Sequence, residues 1–362
     1  MWRAYRPDAL EVLNDRTARS SLKRYFDVME DRAPARFVLC RSIEVKADLS
    51  TGTDVLWKMH EEGMRTLVSY IGQRYASEKT DELPCPEVSL LDLKIELAKR
   101  MLKSCHFCER RCGVDRTSGK TGFCGVGANP RIASEFMHYG EEPELVPSYT
   151  LFFAGCTFRC AFCQNYDISQ DPRAGVEASP RIMAKMVSKA RRDGARNVNW
   201  VGGSPTPNLH AILEALKMCE VNIPSVWNSN FYMTEESMRL LGGTQDIYLS
   251  DFKYGSDLCA SRLSGVSGYL SAVKRNHLLA LEDSELIIRH LVMPGHIECC
   301  TRPVLQWISK NLGKNVRINV MAQYRPCYRA GEYEELKRTV TWDEMKTALR
   351  IAEECGMKNV IS

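Results

Sequence analysis

The sequence contains no apolar run of about 18 residues, so no transmembrane helix is predicted. Its opening, Met1-Trp2-Arg3-Ala4-Tyr5-Arg6, lacks the apolar stretch of a signal peptide. It shows no internal repeat and no low-complexity tract. The net charge is only +4 over 362 residues, too small to argue for a nucleic-acid partner or a membrane surface. These absences lead to the expectation of a cytoplasmic protein with no nucleic-acid and no membrane partner. A hydrophobic content of 44% and a charged content of 26% are those of a soluble globular chain. The length allows one large domain of roughly 250 residues and a smaller one.

What the chain has in excess is cysteine, with fifteen copies. In a reducing compartment disulfides are disfavoured, which leaves metal binding or catalysis as the default. Four cysteines fall within 105–124 and three within 156–163. The others are scattered at Cys40, Cys85, Cys219, Cys259, Cys299, Cys300, Cys327 and Cys355. Most of these read as buried small hydrophobes.

Residues 1–100 read as a helical region. Val55, Met59, Met64, Leu67, Val68 and Ile71 recur at helical spacing between Val55 and Tyr75. A second helix is expected over Leu90–Lys103, after a proline-bearing linker at Asp81–Pro86. Trp2 and Tyr5 read as packing residues. Residues 101–147 form a separate four-cysteine segment. From Ser148 onward, strands and helices alternate. Strands are expected at 149–153, 197–201, 225–227, 247–249, 286–292 and 316–321. Helices are expected at 180–194, 209–219, from 234, at 302–311 and at 342–355. Such alternation implies a parallel sheet with helices outside it. The fold class is therefore α/β, with 148–362 forming a partial (β/α)6 barrel.

The loop after the first of these strands reads Gly155-Cys156-Thr157-Phe158-Arg159-Cys160-Ala161-Phe162-Cys163. Three thiolates spaced by four and three residues can converge from one loop. They are soft ligands suited to an iron–sulfur cluster or zinc. A closed zinc site needs a fourth ligand, and this loop supplies none. Three ligands suit a cluster with one iron left open, and zinc is the weaker alternative. Upstream, Cys105, Cys108, Cys112 and Cys124 follow C-x2-C-x3-C-x11-C. Four thiolates suit a closed metal site, holding zinc or a second iron–sulfur cluster.

The C-x3-C-x2-C loop, with the aromatic Phe162 before its third cysteine, resembles the radical S-adenosylmethionine superfamily. The resemblance implies a TIM-like partial barrel and a [4Fe–4S] cluster on Cys156, Cys160 and Cys163. It also implies S-adenosylmethionine as cofactor, cleaved by one electron into methionine and a 5′-deoxyadenosyl radical. Gly202-Gly203-Ser204-Pro205 resembles the family's glycine turn beside the methionine amino group, with Ser204 where a glutamate is frequent. Asn228-Ser229-Asn230 and Asp251-Phe252-Lys253 resemble segments of the pyruvate formate-lyase activase branch beside the nucleoside and the methionine carboxylate. Arg289 matches an arginine of that branch that meets S-adenosylmethionine, while His290 falls on the opposite strand face. Gln323 or Tyr324 stands where the activases place a histidine.

The implied activity is hydrogen abstraction from a protein or peptide, such as a partner's glycine. The implied electron donor is a reduced ferredoxin or flavodoxin type. Alternatives are a radical enzyme modifying a peptide or metabolite, such as a methylase, and a two-cluster electron carrier. No Asp-x-His-x-x-Gly cobalamin ligand sequence is present. The N-terminal helices are expected to shield the barrel mouth. Cys299, Cys300 and Cys327 lie near that mouth and read as inert.

Overall fold

The computed structural model describes residues 2–74 and 83–362. Asp81 and Glu82 of the expected linker, and Tyr75, lie outside the described residues.

One nine-stranded sheet organises the chain, in the order β3-β1-β2-β4-β5-β6-β7-β8-β9. Its strands are β1 (Arg131–His138), β2 (Ser148–Phe153), β3 (Val176–Glu177), β4 (Asn197–Gly202), β5 (Ser225–Ser229), β6 (Ile247–Asp251), β7 (Glu285–Leu291), β8 (Arg317–Met321) and β9 (Val360–Ile361). From β2 through β9 every pairing is parallel. The six strands read from the sequence are β2 and β4 to β8. They are apolar and buried, because helices cover the outer face of a parallel sheet. Trp200 and Trp227, side by side on β4 and β5, are fully buried.

Three further strands extend the sheet. β1 pairs antiparallel with both β2 and β3. Only Arg131 and Ile132 pair with β3, and the strand's burial pattern is mixed, so it carries no clean alternation for a sequence reading to detect. β3 and β9 have two residues each. The sheet is thus an open, curved array ending on β3 and β9, with β1 carrying the four-cysteine segment into the same sheet as β2.

Helix signals behave as the chemistry of caps requires. Ser179 caps the helix Pro180–Arg192 by accepting from Ile182 N, with Pro180 in its first turn. Thr234 caps Glu235–Leu241 in the same way. The expected helix at 90–103 is α-helical over Leu90–Met101 and tightens to a 3-10 turn over Leu102–Ser104. Two helices, Asp257–Ser264 and Tyr269–Asp283, fill the connection from β6 to β7. No described helix is long and apolar enough to cross a membrane.

The N-terminal helices correct one expectation. The first of them, up to Met29, do not cover the mouth of the sheet but its opposite end, where the strands begin, and helix Leu90–Met101 packs on the outer helices Leu209–Lys217 and Glu235–Leu241. Leu22, Tyr25 and Phe26 pack with Val226, Ile247, Leu249 and Ile287 in one buried cluster. Polar groups at the strand starts hold them there. The Tyr25 hydroxyl donates to Glu144 O and accepts from Asn197 Nδ2. Glu285, the first residue of β7, accepts from the backbone N–H groups of Arg24 and Tyr25, both at 2.7 Å.

Burial raises the Glu285 carboxyl from the ordinary 4.5 to about 7, against the two backbone donors that oppose the shift. Its protonated form therefore stabilises the fold fully below the unfolded value, and that contribution is lost as pH rises through 7. Urea unfolding should show wild-type stability falling relative to Glu285→Gln by about 3 kcal/mol between pH 4.5 and 8. A parallel pH dependence in the two proteins would contradict the assignment.

Candidate active site

Ligands of α/β sheets sit at the carboxyl ends of parallel strands, where loops converge. In this chain a cavity of about 240 Å³ occupies that position. Cys156, Cys160, Phe162 and Cys163 line it from the loop after β2. Gly202 and Gly203 enter from the end of β4, and Asn228 and Ser229 from the end of β5. Asp251 and Lys253 come from β6 and its following turn, Arg289 from β7, and Gln323 from beyond β8. The three cysteines and Phe162, Gly202, Gly203, Asn228, Ser229, Asp251, Lys253 and Arg289 all lie on the cavity, although 133 residues separate Cys156 from Arg289, whereas Ser204 and Tyr324 do not line it. A larger cavity, about 630 Å³, lies at the other end against Ser284, Glu285 and Arg317, and no cysteine lines it.

The cysteine loop is fixed by backbone contacts. Arg159 N donates to Ser264 O and Ala161 N to Leu263 O, which ties the loop to the end of helix Asp257–Ser264. Each sulfur has a hydrogen-bonding neighbour. Ser264 Oγ donates to Cys160 Sγ at 2.9 Å, Phe158 N approaches Cys156 Sγ at 3.4 Å, and Ser169 Oγ lies 3.2 Å from Cys163 Sγ. Burial pushes the Cys160 thiol up to about 11, with the Cys163 thiol adding to the shift and Lys253 opposing it. Burial likewise raises Cys156. Buried thiols with polar donors on sulfur suit metal ligation, which supplies the positive charge that burial otherwise withholds. The donor set therefore fits an iron–sulfur cluster.

Glycine is required at the turn after β4. Gly202 has φ +119°, and a Cβ there would stand 2.0 Å from Phe153 N. A Cβ on Gly203 would stand 2.2 Å from Gly155 O, directly before Cys156. The turn and the cysteine loop are thus in backbone contact.

Charge on the cavity wall is paired. Lys253 Nζ donates to Asp251 Oδ2 at 2.8 Å. Burial works against the Lys253 ammonium, but Asp251 and Cys160 outweigh it and hold its pKa above the ordinary lysine value. Arg289 reaches the cavity with its guanidinium already engaged. Its Nε donates to Glu142 Oε1 at 2.8 Å, and Nη2 donates to Glu142 Oε2 at 2.6 Å and to Glu141. Asn319 Nδ2 also donates to Glu142, and Asn199 Nδ2 to Glu141. Glu142 is fully desolvated, yet Arg289 holds its carboxyl below the usual range. Sequence reasoning missed both glutamates. They lie in the link between β1 and β2, and only the spatial approach of β7 makes them site residues.

The upstream cysteines Cys105, Cys108, Cys112 and Cys124 line one narrow cavity with Phe107, Phe123, Thr157 and Thr206. Burial pushes Cys108 up to about 12 and raises Cys105, where Arg116 opposes the shift. The side-chain oxygens of Ser204 and Thr206 and both amide atoms of Asn208 are buried without a hydrogen-bond partner. The segment packs directly on the three-cysteine loop. Arg110 Nε donates to Thr157 O at 2.7 Å, and Arg159 Nη2 to Phe123 O at 2.5 Å.

The scattered cysteines need one correction. Cys259, Cys299 and Cys300 are not separate packing side chains, because they converge with His296. The His-x-x-Cys-Cys spacing was the available signal, and it lacked the distant Cys259.

The radical SAM superfamily model matches residues 150–308. Uncharacterized protein MJ0674 of Methanocaldococcus jannaschii is 46% identical over 342 residues, which is 93% of this chain and 98% of that protein. Uncharacterized protein MJ0808 of the same organism is 25% identical over 154 residues, 38% of this chain and 46% of that protein. Among solved structures, Streptococcus suis SuiB bound to S-adenosylmethionine gives a TM-score of 0.43 at 13% identity, over 57% of this chain and 47% of that one. TYW1 with a lysine-pyruvate adduct bound gives 0.37 at 13% identity, over 57% and 73%. Residues 150–308 thus form a radical SAM superfamily domain, and the chain belongs to one family with MJ0674. Its cofactors are accordingly a [4Fe–4S] cluster and S-adenosylmethionine.

The Gly203 contact yields a direct test. Gly203→Ala forces the β4 turn away from Gly155, at a cost of about 1–3 kcal/mol. Iron and sulfide content after anaerobic reconstitution should fall, while Gly52→Ala, at a position with nothing within 4 Å and no left-handed backbone, should load normally. Full loading of Gly203→Ala would show that the backbone contact is dispensable.

Proposed function

We propose that Cys156, Cys160 and Cys163 ligate the [4Fe–4S] cluster and that the adjoining cavity receives S-adenosylmethionine. The observation that carries this reading is the shared cavity. Three thiols of one loop and the ends of β4 to β7 line a single space, in an arrangement that an electron carrier does not need. When bound and reduced, these cofactors supply a 5′-deoxyadenosyl radical by one-electron cleavage of the sulfonium.

The chain's residues bind and orient. Gly202 and Gly203 present backbone without side chains, which suits close approach of the methionine end. Lys253 is the point charge for the carboxylate, and Asp251 holds it in place. Arg289 serves differently from a free carboxylate clamp. Its guanidinium, fixed by Glu141 and Glu142, forms a rigid polar wall. Asn228 and Ser229 offer amide and hydroxyl groups to the nucleoside, and Phe162 packs beside Tyr254 and Tyr324 to keep the loop dry.

We assign residues 148–362 to the catalytic core, 101–147 to a second metal segment and 1–100 to the helical region. A metal on Cys105, Cys108, Cys112 and Cys124 would adjoin the three-cysteine loop, a placement suited to electron relay from a ferredoxin- or flavodoxin-type donor. The resemblance to the activase branch supports a peptide Cα–H, such as a glycine of a partner protein, as the abstracted hydrogen. A cytoplasmic setting suits the free thiols.

Anaerobic reconstitution followed by dithionite and S-adenosylmethionine should yield 5′-deoxyadenosine from the wild type. The triple Cys156→Ala, Cys160→Ala, Cys163→Ala variant should yield none, and Lys253→Met should lose at least about 10-fold in kcat/KM, the loss of one charged hydrogen bond. Product from the triple variant would overturn the ligand assignment. Host proteins carrying α-deuterated glycine should pass deuterium into 5′-deoxyadenosine. Turnover stimulated by those proteins without deuterium transfer would rule out glycine.

A further inference from the structure

A second cluster of ligand atoms lies outside the proposed cofactor cavity. Cys259 stands near the start of helix Asp257–Ser264. His296, Cys299 and Cys300 stand in the turn after β7, which closes as one turn of π-helix over Ile297–Thr301. The three sulfurs and a ring nitrogen of His296 all lie within 4.8 Å of one another. The sulfur–sulfur edges are 3.8 Å for Cys259–Cys299 and 3.9 Å for Cys299–Cys300. From His296 Nδ1 the sulfurs lie at 3.7 Å for Cys259, 3.2 Å for Cys299 and 3.8 Å for Cys300.

These are the edges of a one-metal tetrahedron. Zinc bonds of about 2.3 Å to sulfur and about 2.0–2.1 Å to nitrogen place sulfurs about 3.8 Å apart and sulfur about 3.6 Å from nitrogen. A cubane cluster would hold its sulfurs much farther apart than a single ion does.

The surroundings are built for ligation. Consecutive residues of an α-helix point about 100° apart, which would aim Cys299 and Cys300 at different partners. In the wider turn His296 O accepts from both Cys300 N and Thr301 N, and both sulfurs face one point. Gly255 lets the turn sit close, since a Cβ there would stand 2.6 Å from Cys299 O. Glu335 Oε1 lies 3.4 Å from His296 Nε2 and is itself paired with Arg262. A carboxylate on the far ring nitrogen fixes the tautomer that leaves Nδ1 free to ligate. Cys299 is exposed while the other three are buried, so an ion has a route in from the surface.

We propose that Cys259, His296, Cys299 and Cys300 bind one zinc ion in a closed, tetrahedral site. The protein supplies all four ligands, so the role is structural. The ion clamps the turn after β7 to helix Asp257–Ser264. Five residues beyond Cys259, about 7.5 Å along that helix, Ser264 donates to Cys160 Sγ. The zinc thus braces the wall on which the three-cysteine loop rests. It does not depend on which reaction the cavity performs.

Metal analysis of the full-length protein, purified anaerobically, tests this. The Cys299→Ser, Cys300→Ser double variant should carry one zinc per chain fewer than wild type. The triple Cys156→Ala, Cys160→Ala, Cys163→Ala variant and the Cys105→Ser, Cys108→Ser variant should each retain that zinc, as should His296→Cys, which keeps four ligands. Cobalt substitution gives a readout independent of variant folding in the double mutant. Wild type should show thiolate-to-cobalt charge transfer and tetrahedral ligand-field bands, and His296→Cys should shift those bands. Equal zinc in the double variant and wild type, loss of iron in place of zinc, or cobalt bands indifferent to His296→Cys would overturn the proposal.

Discussion

Burying a thiolate is unfavourable unless positive charge and hydrogen-bond donors replace the water it loses, and this constraint governs the mouth of the sheet. Cys156 and Cys160 are buried, and burial alone holds their protons on. Ser264, Ser169 and the Phe158 amide supply the donors, and Lys253 supplies a nearby cation. The helix after β6, the glycine turn after β4 and the four-cysteine segment all contact the loop that carries these sulfurs. Their packing places the groups that make a metal-ligating thiolate set tolerable in a dry site.

The same constraint explains why the charges of the cavity come in pairs. Asp251 faces Lys253, and Glu141 and Glu142 face Arg289. Burying arginine and lysine in a desolvated wall is tolerable because carboxylates accompany them. Pre-paired charges also stay where they are, so a ligand meets a wall whose side chains need little reordering. The two acidic residues on Arg289 make it part of the scaffold, which a reading of the strand in isolation as an exposed clamp does not capture.

Much of this was legible in the sequence, for physical reasons that differ by element. The buried parallel strands announce themselves as apolar runs, and Ser179-Pro180 and Thr234 mark helix starts through side-chain capping. The cysteine loop is legible because its ligands come from one short segment. β1 escaped because its mixed burial leaves no periodicity, and β3 and β9 because two residues carry no pattern. Glu141 and Glu142 and the Cys259–His296–Cys299–Cys300 set escaped because their meaning arises from contacts across 37 to 148 residues of chain, which only the folded sheet brings together. The N-terminal helices were read as helices, but the docking of the first of them at the strand starts depends on Glu285 and Asn197, whose partners no local pattern reveals.

The most direct test of the account is electron spin resonance of the reduced, reconstituted protein titrated with S-adenosylmethionine. The account expects the cluster signal of the wild type to change at saturation, and Lys253→Met to need at least about 10-fold more S-adenosylmethionine for the same change. A fully loaded cluster on Cys156, Cys160 and Cys163 whose signal stays unchanged at saturating S-adenosylmethionine would contradict it.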